Sequence, residues 1–268
     1  MKASGLRAMI SNRLNRSKIY NKSDYWNAKA AEYSGDAISM WPNNHLNRYY
    51  HNEQLKFFDR VAPELNGLNV LDVGCGTGRM TRHISQRGAS ATGIDFAEKV
   101  VEIAKQQAEG ANPQYEVCSV FEINHEGDFD LITLWGCLTV ACSNSDELLD
   151  VMQRLHRALK PGGRIILLEP IHGTFLHRVL KLGTKRFCRI MEQAGFQIRG
   201  VTPLHFWPSR LALAYIRWPR WLTAVGYYVG QGIMRLLGNH RALGDYKAIE
   251  AIRPADDHST TIPPSSQP

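Results

Sequence analysis

Val70-Leu-Asp-Val-Gly74-Cys-Gly76-Thr-Gly78 is an apolar run that ends in glycines at alternate positions. A run of this kind reads as a buried strand, and the glycines as the tight loop that follows it. Without a Cβ, such a loop can take positive φ and lets a ligand approach the backbone closely. A dinucleotide loop would read G-x-G-x-x-G, with its pyrophosphate on the next helix N-terminus. Here the third glycine comes one residue early, and Arg79 stands in the expected place. Asp95 closes the next apolar run, where a carboxylate can accept hydrogen bonds from both hydroxyls of a ribose. The pattern favours a ribose-bearing ligand over a diphosphate.

Outward from this loop, short apolar runs alternate with amphipathic ones. Residues 68–73, 90–95, 115–120, 129–135 and 164–169 read as strands, and residues 79–87, 97–109 and 146–160 as helices. In the last helix Leu148, Met152, Leu155 and Leu159 fall at helical spacing, with Ser145 as the expected cap and Pro161-Gly-Gly163 as the stop. A helix at 184–194 and a strand at 196–201 follow. After a Trp-, Tyr- and Arg-rich interruption, residues 246–252 resume a strand-like pattern. The alternation predicts an α/β fold, a parallel sheet covered by helices on both faces. The expected organisation is a basic segment at 1–24, a helical cover at 25–66, a core of 67–201 and 244–253, an inserted helical and aromatic cap at 202–243, and a polar, disordered tail at 254–268.

With 268 residues, 44% hydrophobic and 21% charged, the chain suffices for one large domain with an insertion, and collagen-like, disulfide-scaffold and wholly disordered classes are excluded. Five cysteines are odd in number and form no CxxC pair, so they read as free thiols of a reducing compartment, with little support for structural zinc. No stretch reaches the ~20 apolar residues of a membrane-spanning helix. The longest uncharged run of the last third, residues 221–234, would cover about 21 Å of a ~30 Å hydrocarbon core, which suits an interface better than a span. The N-terminus lacks the apolar core of a secretion signal. A cytoplasmic location is expected, with organellar import as the alternative suggested by the acid-free, basic start.

The ordered blocks Leu-Asp-Val-Gly-Cys-Gly-Thr-Gly, Gly-Ile-Asp95, Phe129-Asp-Leu-Ile and Leu159-Lys-Pro-Gly-Gly163 together resemble the class I S-adenosylmethionine-dependent methyltransferases, over residues 25–197. The resemblance implies a Rossmann-like, seven-stranded, mostly parallel sheet with a reversed last strand, and ligand binding at the carboxyl ends of the strands. By position it implies that Asp72, Gly74, Cys75, Gly76 and Gly78 shape the methionine and sugar part of the S-adenosylmethionine site. Asp95 would hold the ribose, Phe96 would pack on the adenine, and Trp135, with Gly136 and Cys137, would flank the methionine arm. Where the family often reads the adenine amine with an acidic residue, this chain has Ser119, followed by Val120 and Phe121, and a hydroxyl can still accept that bond. The stretch Tyr25-Trp26-Asn-Ala-Lys-Ala-Ala-Glu-Tyr33 resembles an aromatic segment that many small-molecule members fold over the cofactor, and Arg48 is the expected partner of its carboxylate. Ordinary helix packing is the competing reading of these aromatics.

An oxygen acceptor must lose a proton as it takes the methyl group, and a histidine suits that task. The fifth strand ends Leu168-Glu169-Pro170-Ile-His172, which predicts Glu169 and His172 at the ligand-facing edge. His172 is thus the expected general base, with His205, His45 and Trp135 as site wall. A solvated loop histidine is the competing reading, and no ligand cluster points to a metal.

The formal charge of +7 suggests an anionic partner. Residues 1–23 hold six basic and no acidic side chains, and residues 193–244 hold six arginines, three of the six tryptophans and no Asp or Glu. These segments carry +12 between them and leave −5 on the rest, so the charge is not a nucleic-acid-like coat, and no RNA-binding motif accompanies it. Aromatic and cationic residues bordering short apolar helices suit an anionic membrane surface. The predicted function is O-methylation of a lipid-associated, glycan or quinone-like small molecule. A soluble metabolite acceptor and a non-catalytic scaffold that keeps the fold are the alternatives.

Overall fold

The computed structural model describes residues 15–32 and 41–255. Along the chain come α1 (Arg16–Ile19), α2 (Ser23–Glu32), α3 (Asn44–Val61), β1 (Asn69–Val73), α4 (Arg79–Gln86), β2 (Ser90–Asp95), α5 (Glu98–Gln106), β3 (Gln114–Val117), β4 (Phe129–Trp135), α6 (Leu138–Ala141), α7 (Ser145–Ala158), β5 (Leu159–Glu169), α8 (Thr184–Gln193), β6 (Gln197–Phe206), α9 (Trp207–Leu213), α10 (Arg220–Leu236) and β7 (Gly244–Ile252). Seven strands form one sheet in the order β3-β2-β1-β4-β5-β7-β6. The first five pair in parallel, and β7 runs antiparallel to both β5 and β6. This is the Rossmann-like, mostly parallel α/β architecture expected, with helices on both faces.

Each face of the sheet buries its own apolar layer. Leu148, Val151, Met152 and Leu155 of α7 pack with Phe187 and Met191 of α8 on one side. Leu46, Phe57 and Phe58 of α3 pack with Met80 and Ile84 of α4 on the other. Central strands buried on both faces read as nearly continuous apolar runs, which is why β1 and β4 stood out in the sequence. Helix α7 begins one residue earlier than expected, at Ser145 itself. Asn144, not Ser145, accepts from Asp146 N and Glu147 N, each at 2.9 Å, and Asp146 and Glu147 then stand at the positive end of the helix dipole.

The register sets the functional edge. Val73 pairs with Ile94 and with Leu134, and Trp135 pairs with Leu168, so β1, β2, β4 and β5 end together. The Gly74, Asp95, Gly136 and Glu169 turns therefore share one rim.

Two stretches differ from the sequence reading. Strand β6 continues to Phe206, and the chain leaves the sheet at Trp207 instead of at residue 202. An edge strand tolerates Pro203, which has no N–H to give, and its half-exposed residues mask the alternation that would reveal it. Strand β5 starts at Leu159 and runs through the Pro161-Gly-Gly163 stretch expected to be a plain stop. Beyond β6, helices α9 and α10 pack on α3, and Asn43 joins them. Its amide donates to Leu213 O at 3.0 Å and to Thr223 Oγ1 at 3.1 Å while its oxygen caps α3. The polar tail from residue 256 and the first 14 residues, both read in the sequence as appendages, lie outside the described residues, as does the Tyr33 end of the aromatic segment.

Candidate active site

A cavity of about 630 Å³ opens at the shared rim. That volume lies in the range of small-molecule sites. Its floor is the glycine loop. Gly74 has φ +69°, and a Cβ there would sit 2.7 Å from Cys137 Sγ, so the β1 and β4 turns touch only because this residue has no side chain. Gly76 has φ +57° with open space where a Cβ would be, so the loop presents bare backbone to the cavity.

Two carboxylates stand on this floor. Asp95 Oδ2 accepts from Gly76 N and Oδ1 from Ala97 N, both at 3.0 Å, which fixes the group and leaves lone pairs on each oxygen for vicinal hydroxyls. Burial raises its pKa, opposed by these backbone N–H groups and that of Phe96. Asp72 is fully buried; its Oδ2 accepts from Thr81 Oγ1 at 2.7 Å, whereas Oδ1 has no hydrogen-bond partner in the structure. Burial pushes the Asp72 carboxyl up to about 7, with the Thr81 bond opposing and the Asp95 charge adding. A buried carboxylate with one open oxygen in a ligand cavity suits a cation.

Phe96, Ser119, Val120 and Phe121 line a second wall, and Ser119 Oγ accepts from Phe121 N at 3.3 Å. Trp135, Gly136 and Cys137 line a third. Trp26 reaches the cavity from α2, together with Tyr20 and Tyr25, and its indole donates to Tyr20 O at 2.7 Å. The structure thus brings together Asp72, Gly74, Cys75, Gly76, Asp95, Phe96, Ser119, Val120, Phe121, Trp135 and Trp26 around one space. Gly78 lies just behind, with φ +78°, where its carbonyl accepts from Tyr115 Oη at 3.1 Å.

Five expected residues are elsewhere. Arg48 is exposed on α3 and does not line the cavity; the cations that do are Lys29, Arg79 and Arg178. Glu169 is completely buried, and its carboxylate is consumed by its own neighbours. Oε1 accepts from Cys137 N at 2.8 Å and Leu138 N at 2.9 Å, and Oε2 from Thr139 N at 3.1 Å and Thr139 Oγ1 at 2.8 Å. It anchors the β4 turn and the start of α6 instead of facing a ligand. His172 is also buried outside the cavity wall, with Nε2 3.3 Å from Asp245 Oδ1. Burial pulls the imidazole pKa below its ordinary value, against the Asp245 bond. A strand-end position fixed the edge correctly, but the side chains turn inward.

His172 belongs to a buried polar cluster that the sequence did not announce. Asp245 sits at its centre, with Arg210 Nε 2.9 Å from Oδ2 in an ion pair lacking the alignment of a hydrogen bond. Tyr50 Oη donates to the same oxygen at 3.3 Å. Burial alone would raise the Asp245 pKa; Arg210 and then His172 hold it well below the carboxylate range. His205, another expected wall residue, stacks on Tyr50 at 3.7 Å, and burial pushes its pKa down to about 3. His45 is half-buried on α3 and does not reach the cavity. Asp245 falls one residue before the strand-like stretch read at 246–252, and no spacing marks it, because its partners come from α3, the turn after β5, and α9.

Residues 70–163 match a family model described as a methyltransferase domain. Among curated relatives, the ubiquinone biosynthesis O-methyltransferase of Acinetobacter baylyi is 29% identical over 180 residues, covering 58% of this chain and 74% of that protein. The demethylmenaquinone methyltransferase of Lactococcus lactis is 33% identical over 118 residues, 41% of this chain and 45% of that protein. Among solved structures, magnesium protoporphyrin IX methyltransferase of Synechocystis with bound S-adenosylmethionine superposes with a TM-score of 0.56 at 17% identity, covering 90% of this chain and 97% of that one. With a methyltransferase domain matched over residues 70–163 and the strand order of that fold, the chain is an S-adenosylmethionine-dependent methyltransferase.

Proposed function

We propose that this enzyme methylates a hydroxyl oxygen of a quinone-type, lipid-associated phenol, and that it meets the acceptor at an anionic membrane surface. The acceptors named for its relatives support the first part. Within the chain, the observation that carries the reading is the free face of α10. Trp221, Val225, Tyr228, Val229, Ile233 and Leu236 fall on one side of this helix and are exposed, Trp221 at 68% and Leu236 at 87%. The helix is about 25 Å long, with Arg220 and Arg235 at its ends and Arg217 and Arg241 close by. Indole and tyrosine rings settle at headgroup depth and arginines meet lipid phosphate, so this stripe is chemically complementary to anionic lipid. Among the described residues no helix is long and apolar enough to cross a membrane, which leaves α10 to lie in the interface.

In this reading S-adenosylmethionine, when bound, supplies an electrophilic methyl group on a sulfonium. Asp95 accepts from the ribose hydroxyls, and Phe96, Ser119, Val120 and Phe121 enclose the adenine. The bare backbone of Gly74, Cys75, Gly76 and Gly78 makes room for the amino-acid arm, whose cationic end faces Asp72, and Trp135 borders that arm. Trp26 and its tyrosine neighbours cover the site and exclude water. The chain's task is alignment and dehydration, because an in-line displacement needs little else.

The test is methyl transfer to a prenylated catechol, read as methylated product and S-adenosylhomocysteine by mass spectrometry, with and without phosphatidylglycerol vesicles. Product is expected, formed faster with vesicles. Replacing Trp221 by Ser and Leu236 by Gln should lower vesicle binding by roughly 10-fold or more, since each large apolar side chain contributes about 1.5–3 kcal/mol when fully buried. No product from the catechol, with cofactor binding intact, refutes the acceptor; unchanged sedimentation with vesicles refutes the surface.

A further inference from the structure

Arg178 lies between β5 and α8, in a segment without regular structure, yet it is tightly held. Leu176, Val179 and Leu180 around it are buried, and Val179 N and Leu180 N both donate to Thr139 O at 3.0 Å. Thr139 is in turn gripped by Glu169 through its N–H and its hydroxyl. The same carboxylate holds Cys137 N, so one buried group sets both the β4 turn that lines the cavity and the segment that carries Arg178. Arg178 itself lines that cavity. Its Nη2 is shielded from solvent and has no hydrogen-bond partner in the structure.

Among the described residues no carboxylate forms an ion pair with this guanidinium. Asp245 lies within its electrostatic reach, but Arg210, His172 and Tyr50 already occupy that carboxylate. Lys247, also buried, sits in the same cluster and spends its ammonium on Gly244 O at 2.7 Å. Asp245 is thus one ionised carboxylate with Arg210, Lys247 and Arg178 all within electrostatic reach. A buried N–H donor on a fixed cation calls for a charged acceptor.

We propose that Arg178 is an acceptor-binding residue that holds an anionic oxygen of the aromatic substrate, a ring phenolate or a ring carboxylate. The assignment rests on the reading of this cavity as the methyl-transfer site. A guanidinium binds such oxygens with a directional, charge-assisted bond, and Thr139 ties the backbone next to Arg178 to α6. A phenolate held there is already the nucleophile: its oxygen forms the new bond to the methyl carbon while the carbon–sulfur bond breaks and its electron pair stays on sulfur. The phenolic proton leaves to solvent beforehand, so no side chain has to remove it during transfer. This also accounts for a site in which the expected histidine base faces away.

Binding of three probes to the enzyme saturated with S-adenosylhomocysteine tests the proposal by calorimetry: catechol, neutral at pH 7; 3,4-dihydroxybenzoate, which carries a carboxylate; and 4-nitrocatechol, a phenolate near neutrality whose ionised form is visible by absorption. At least one anionic probe is expected to bind about 10-fold or more tightly than catechol. Preference for the benzoate alone names a carboxylate subsite, and preference for the nitrocatechol alone names a phenolate subsite. In R178Q the preference should vanish, and in R178K it should return in part, with S-adenosylhomocysteine affinity unchanged in both. Equal affinities in wild type and R178Q, or no binding of any probe by the wild type, overturns the proposal. Binding of anionic probes without any methyl transfer leaves Arg178 as an anion site and removes the proposed acceptor reading instead.

Discussion

In the proposed reading Asp72 makes cofactor affinity depend on pH, in a direction and by an amount that can be worked out. In the free enzyme burial pushes its carboxyl up to about 7, above the ordinary carboxylate range, and Oδ1 has no partner to offset the charge. A ligand that brings a cation to this oxygen binds the ionised form, so the proton present below pH 7 must leave on binding. Linkage then weakens apparent affinity by the factor 1 + 10^(pKa − pH), about 11-fold at pH 6, about 2-fold at pH 7 and about 1.1-fold at pH 8. Between pH 8 and pH 6 affinity should fall about 10-fold, or about 1.4 kcal/mol. The stability sign is the reverse. A folded pKa raised above the unfolded one stabilises the free protein at acid pH, and that contribution is lost as pH rises through 7, so thermal stabilisation by ligand should grow towards pH 8. Calorimetric titration of S-adenosylhomocysteine in buffers of different ionisation enthalpy reads both quantities. About 0.9 proton should be released at pH 6 and about 0.1 at pH 8. D72N should bind more weakly with a flat profile. A flat wild-type profile from pH 6 to 8 with no proton release would show that Asp72 does not face the ligand's cation.

Two further perturbations probe the frame around the site. Gly74→Ala puts a Cβ 2.7 Å from Cys137 Sγ at φ +69° and should destabilise the fold by about 1–3 kcal/mol, seen as a lower urea midpoint with an unchanged slope. Asp245→Asn leaves Arg210 buried without its counter-charge and should cost about 3–5 kcal/mol at pH 7. Because the Asp245 pKa is depressed in the fold, its stabilisation is fully present above the unfolded carboxylate pKa and is lost only as pH falls through the lower folded one, so the gap between D245N and wild type in thermal melts should narrow, without closing, on acidification to pH 3.

The parallel half of the fold was legible because its signals are local. A strand buried on both faces must be apolar throughout, a glycine loop must follow it where backbones crowd, and a helix with Leu148, Met152 and Leu155 at helical spacing must cover it. The residues proposed for the cofactor side inherit that legibility, since Asp72, Asp95 and Trp135 are placed by strand ends that share one register. The antiparallel half was harder to read. Strand β6 lies at an edge with mixed exposure and a proline, so its second half passed for the start of a cap. The direction of a side chain after a strand end is likewise set by what it can bond to. Glu169 and His172 were placed at the right rim and turned inward, because three backbone N–H groups and Asp245 lie there.

Glu169 shows why an invisible partner can matter more than a visible candidate. Left without those donors, a fully buried carboxylate would be protonated, and burial does raise its pKa. Four short bonds hold it in place instead, and each ends on a segment that touches the cavity or Arg178. The proposed cofactor side and the proposed acceptor side are thereby indexed to the same two oxygens. For a reaction whose barrier is mostly a matter of aligning oxygen, carbon and sulfur, a common anchor limits the relative motion of the two binding halves. A carboxylate that contacts no ligand can therefore govern turnover, and E169Q should lower kcat more than it weakens the affinity for either ligand, because it loosens the distance between them while leaving each subsite its own residues.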